Sequence, residues 1–124
     1  MRLVTGTILV LAVGVGCGAS APVPATQVTE TQAAIRAAEE VGAPNVPKAA
    51  LHLKMAKDQM QTAEAQIKDE DNVQARMTLD RARVDAELAL ALARESAFRA
   101  KAAEALEKIN KLQAEATTAK APAK

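Results

Sequence analysis

From Lys48 to Ala121 the chain carries neither glycine nor proline, and all five of its glycines fall at or before Gly42. A stretch of that length with no residue obliged to break a helix argues for helix throughout. Hydrophobic residues make up 49% of the chain but aromatic residues only 1%, with Phe98 the single ring. Alanine must therefore supply much of whatever is buried, and because it covers little area the core should be thin and close-packed. The fold class is all-α: an antiparallel helical hairpin with a short first helix packed on it, the third of the three helices being long and projecting.

The first helix is expected over residues 29–41, where Thr29 and Gln32 have capping-box spacing and Ile35, Ala38 and Val41 mark an apolar side. Gly42 suits a left-handed C-cap, Pro44 blocks continuation, and Asn45 with Pro47 can start the next helix. The second helix, over residues 46–68, sets Ala49, Leu53, Ala56, Met60, Ala63 and Ile67 on one narrow seam, in alternating steps of four and three. The cluster Lys68 to Asn72 reverses the chain, and Asp71 with Gln74 offers a second capping pair for a third helix over residues 72–116.

That third helix carries two apolar stripes. The main one runs through Val84, Leu88, Ala91, Phe98, Ala102, Ala105, Ile109, Leu112 and Ala116, interrupted only by Glu95, and a heptad-like seam of this kind needs a partner helix. Almost opposite lie Ala75, Leu79, Ala82, Ala86, Ala89, Ala93, Ser96, Ala100 and Ala103. Between Val84 and Ala93, where Leu90 and Leu92 join in, the helix is apolar nearly all round, which predicts that both shorter helices cover it there. With the second helix folded back from Asp71, its start lies beside Ala93, and residues 98–116 project by about 28 Å at roughly 1.5 Å per residue. Phe98, Ile109 and Leu112 on that arm are a candidate surface for a protein partner or for self-association. The competing expectation is an arm that bends back, or a solvated helix held by the i,i+4 pairs Glu95/Arg99, Glu104/Lys108 and Glu107/Lys111.

The N-terminus reads as an address. Met1 and Arg2 give a positive end, and Leu3 to Val15 is an apolar run broken only by Thr and Gly, shorter than the roughly 20 residues a membrane helix needs. Residues 1–16 are therefore expected to be a lipoprotein signal peptide cut between Gly16 and Cys17, with Cys17 lipidated. Val13 to Cys17 is similar to the lipobox of bacterial lipoprotein signals, although Gly14 stands where a branched aliphatic residue is usual. Each buried methylene adds about 0.8 kcal/mol, so a diacylglyceryl group plus an acyl chain would hold the protein on a membrane stably. Gly18 in place of Asp favours the outer membrane, facing the periplasm. Residues 17–28, with Pro22 and Pro24, read as a flexible tether, and residues 117–124 as a disordered tail.

Little else points to chemistry. The chain has 16 Lys plus Arg against 15 Asp plus Glu, a balance that argues against nucleic acid. His52 is the only histidine, with no evident orienting acid, so neither a metal site nor a nucleophilic triad can be assembled around it. Asp69 and Asp71 open a calcium-loop-like pattern that Val73, Gln74 and Asp80 fail to complete. The alternation Asp80, Arg81, Arg83, Asp85, Glu87 reads as a solvated face. No cofactor, small-molecule substrate or catalytic residue is expected.

The run Gly42, Ala43, Pro44 to Pro47, Leu51, the acidic turn, and Ala82 to Arg94 resembles an uncharacterised helical domain family of bacterial envelope lipoproteins, over about residues 28 to 100. Some members of that family continue into an OmpA-like peptidoglycan-binding domain. The chain has Asn45 and Val46 where the family usually has Tyr-Ala, and Glu70 where its turn often carries Gly. The resemblance implies a place in the envelope and no known activity. Three functions are in view: a structural or interaction module, a cell-wall-attached lipoprotein linked through Lys124, and an accessory subunit of an envelope transport or assembly complex.

Overall fold

Pro24 sets where the first helix begins. In the computed structural model, which describes residues 21–119, the Pro24 carbonyl accepts from Val28 N at 3.0 Å and helix α1 runs Ala25–Glu40. Proline suits this place, because the first N–H groups of a helix have no partner within it. The expected start at Thr29 is thus one turn too late, and the upper part of the expected tether is helical. Thr29 does not cap; its hydroxyl donates back to the Ala25 carbonyl at 3.1 Å.

Gly42 ends α1 as its spacing predicts, with φ at 90° and its N–H on the Glu39 carbonyl at 2.9 Å. A short 3-10 turn, Ala43–Asn45, leads to α2, Pro47–Lys68, with proline in its first turn. Val46 stands at the N-cap and no side chain caps it, so Asn45 lies inside the turn instead of starting the helix. The second reversal is a Schellman motif built on a non-glycine residue. Glu70 has φ at 62°, its N–H bonds the Ile67 carbonyl at 3.1 Å, and Asp71 N bonds the Gln66 carbonyl at 2.8 Å. Asp71 then caps α3, its carboxylate accepting from Gln74 N at 3.4 Å.

Helix α3 runs unbroken over Asn72–Ala119. Its last turn, expected to fray from Thr117, stays helical, with the Thr117 hydroxyl bonded to the Gln113 carbonyl at 2.6 Å. Both α1 and α2 lie along the first half of α3 and barely touch one another. The α2 seam is as its periodicity predicts: Ala49, Leu53, Ala56, Met60 and Ala63 are buried. From α1 come Ile35, Ala38 and Thr31, whose hydroxyl donates to the Leu79 carbonyl at 3.3 Å.

Only one of the two faces of α3 expected to be covered meets them. Ala75, Leu79, Ala82, Ala86, Ala89 and Ala93 are buried, while Val84 is 57% and Leu88 40% exposed. The two shorter helices do not wrap α3 but share one side of it. Size is the reason. The α2 seam brings Leu53 and Met60 and α1 brings Ile35, so a row of alanines opposite them lets the helices approach, where Leu88 and Val84 would hold them apart.

Glu70 is the one strained residue in this frame, since a side chain in the left-handed region costs about 1 kcal/mol. Glu70→Gly is expected to raise the free energy of urea unfolding, and with it the midpoint, by a few tenths to about 1 kcal/mol once the extra freedom of the unfolded chain is subtracted. An unchanged or lowered midpoint would mean that the Glu70 side chain makes a compensating contact.

Candidate functional site: the outward face of the third helix

Turning the small stripe of α3 inward puts the large residues outward. Met77, Val84, Leu88, Phe98, Ile109 and Leu112 are all exposed, Phe98 at 68% and Leu112 at 55%, and from Val84 onward they form one row with Ala91, Ala102 and Ala105 at steps of three and four once Glu95 is counted. Every residue from Ala97 to Ala119 is exposed, so the arm projects about 34 Å at 1.5 Å per residue. It does not bend back, and it meets no other helix among the described residues. Phe98, Ile109 and Leu112 are therefore brought together on one face, and Val84 and Leu88 carry that face back over the packed half of the helix.

Charges frame the row. Glu95, the one polar residue within it, receives Arg99 at 2.6 Å. Of the three i,i+4 pairs expected along the arm, this is the one formed: among the described residues Glu104 and Lys108 are not within ion-pair distance, nor are Glu107 and Lys111. Arg83 and Glu87 pair at 2.8 Å on the packed half. At the base of the arm, Ala91, Arg94, Phe98 and Ala102 line a shallow open depression.

The helix interface holds a polar cluster that spacing alone could not reveal. His52 on α2 donates from Nδ1 to Asp85 on α3 at 2.9 Å, and Gln59 donates to the other carboxylate oxygen at 2.9 Å. Asp85 is thus a partly buried acceptor shared by two donors, not part of a solvated face, and His52 does have an orienting acid. Ser96, the only serine among the described residues, lies eleven residues beyond Asp85, about 16 Å along the helix. The cluster can clamp α2 to α3 and fix their register. Among the described residues no three His, Cys, Asp or Glu side chains are placed to hold a metal ion, and no helix is long and apolar enough to cross a membrane.

An open groove of about 340 Å³ lies between α1 and α2, lined by Ile35, Met60, Arg36, Lys57 and Glu64. It exists because those two helices barely meet. Its mixed charges, with Lys57 already paired to Glu39, favour no particular ligand. Gly16, Cys17 and Lys124 lie outside the described residues.

The clamp can be measured by mutation. Asp85→Ala leaves both His52 and Gln59 without an acceptor and is expected to cost about 1–3 kcal/mol in urea unfolding. Combined with His52→Ala, the loss should be less than the sum of the two single losses. Asp80→Ala, on the exposed side of the same turn, should change stability by no more than about 0.5 kcal/mol.

No curated protein matches the chain, and no solved structure does. One family matches, over residues 26–105, described as "Domain of unknown function (DUF4398)". That span takes in α1, α2, both turns and the base of the arm, which is most of the chain. The protein belongs to the DUF4398 domain family.

Proposed function

We propose that the chain is an envelope lipoprotein, anchored through Cys17 in the outer membrane, whose helical domain is a non-catalytic docking module in the periplasm. The observation that carries this reading is the apolar row on the outward face of α3, from Val84 to Leu112 and interrupted only at Glu95, with none of the described helices against it. Exposed apolar surface of that extent on a projecting helix marks an interaction site. The leader residues Leu3 to Cys17 support the anchor, as does the resemblance to envelope lipoprotein domains that sometimes precede OmpA-like domains.

The path of the chain adds a direction. The Asn72 side-chain amide donates to the Ala21 carbonyl at 2.7 Å, so the chain enters the domain at the start of α3. Ala21 is four residue steps from Cys17, at most about 14 Å of extended chain. The far end of α3 lies about 70 Å from Asn72 at 1.5 Å per residue. A lipid at Cys17 would hold one end of that helix near the bilayer and leave the docking face free to reach away from it.

Both halves of the proposal can be read in one set of cells. Radiolabelled fatty acid should enter the wild-type chain and not the Cys17→Ser variant. A photo-crosslinking residue placed at Phe98 should yield discrete protein adducts in intact envelopes, and the same residue at Glu107, on the opposite face of the arm, should yield none. Label independent of Cys17 would remove the anchor, and equal adducts at both positions would remove the docking face.

A further inference from the structure

The occupant of the outward face can be specified further by its charges, an inference that rests on the docking role proposed above. Number the row as a heptad seam, with Leu88, Glu95, Ala102 and Ile109 at a, and Val84, Ala91, Phe98, Ala105 and Leu112 at d. One flank, at the e positions, is occupied on the packed half by α2, since Asp85 is held there by His52 and Gln59. The other flank, at the g positions, is open, and alongside Phe98 to Leu112 it reads Arg94, Lys101, Lys108, bounded by Glu87 one heptad before and Glu115 one heptad after. All three are exposed, and among the described residues none has a carboxylate within ion-pair distance.

Flanking charges of a helical seam decide which helix can lie against it. A second copy of this chain is poorly suited. Placed parallel, it sets Arg94 against Arg99 of its partner and Glu95 against Glu95 inside the seam. Placed antiparallel in the register that overlaps the two arms, centred on Lys101, it sets Arg94 against Lys108, Lys101 against Lys101 and Glu87 against Glu115. Both arrangements bring like charges together along the edge of an interface whose apolar centre is largely alanine and too thin to override them.

We infer that the outward face of α3 takes a helix from a different protein, one with a matching apolar seam flanked by acidic residues that meet Arg94, Lys101 and Lys108. An acidic flank would neutralise the open row in either orientation of the incoming helix. It would leave the Glu95 to Arg99 pair intact at 2.6 Å.

The test uses the full chain and two synthetic four-heptad peptides with the same apolar seam, one carrying glutamate and the other lysine at every flanking position. The glutamate peptide is expected to bind roughly tenfold more tightly at low salt, as three favourable pairs replace three unfavourable ones. The preference should fade at high salt. It should reverse in the Arg94→Glu, Lys101→Glu, Lys108→Glu variant, whose helical content by circular dichroism should match the parent because all three side chains are exposed.

Equal binding of the two peptides, lost in a Phe98→Asp, Leu112→Asp variant, would overturn the acidic-partner inference while keeping the docking face. Binding of neither peptide would overturn both. So would uptake on anionic phospholipid vesicles alone, which would make the face a lipid-contacting one. A dimer of the chain in sedimentation, abolished by Phe98→Asp, would name a second copy as the occupant and overturn the inference.

Discussion

Close approach between small side chains is the constraint on which the rest of the molecule depends. Ala75, Ala82, Ala86, Ala89 and Ala93 of α3 meet Ala49, Ala56 and Ala63 of α2 and Ala38 of α1, and all of these are buried. Each alanine contributes little transfer energy, so stability must come from many short contacts between backbones brought close together. Leu79, the one large apolar residue fully out of solvent, sits where Thr31 also reaches the α3 backbone. Leu53, Met60 and Ile35 fill the spaces that the alanines leave. Once α3 spends its small face on its neighbours, its large face has nowhere to go but outward.

A thin core of that kind specifies register weakly, because alanine can slide past alanine with little penalty. Directional contacts supply what size does not. Asp85, shared by His52 and Gln59, ties one turn of α2 to one turn of α3, and the Thr31 hydroxyl ties α1 to Leu79. The two turns add fixed exits, one through Gly42 and the other through Glu70 held in a left-handed conformation. Placing strain at Glu70 instead of glycine costs something locally, and the Schellman bonds around it offset that cost by satisfying the carbonyls at the end of α2.

Much of this was legible in the residues, and what was not has identifiable causes. The α2 seam could be read because its alternation of alanine with Leu53 and Met60 leaves one apolar side, and Gly42 and Asp71 marked their turns. Which stripe of α3 is left bare was not legible, because both obey the same spacing and an all-round apolar stretch points to cover on both sides; the size of the partner side chains decides that the alanine stripe alone is covered. The spacing of Thr29 and Gln32 points to a start of α1 one turn too far along, because a capping pair is a local pattern whereas Pro24 marks the N-cap without one. The Asp85 cluster joins α2 to α3 across 33 positions, and no local pattern announces such a contact. The arm and its apolar residues were legible, since helix length set against the length of the hairpin shows where neighbours run out. The extension of that face back to Val84 was not.

Orientation of α3 is the claim that everything functional here depends on, and single-cysteine labelling measures it directly. In a Cys17→Ser background, cysteine at Val84, Leu88 or Phe98 should react with a soluble maleimide at close to the unfolded rate. Cysteine at Ala82 or Ala86 should be protected by orders of magnitude in the native chain. Protection at Val84 and Leu88 with rapid labelling at Ala82 and Ala86 would mean that the large residues face the hairpin after all, and the outward docking surface would not exist.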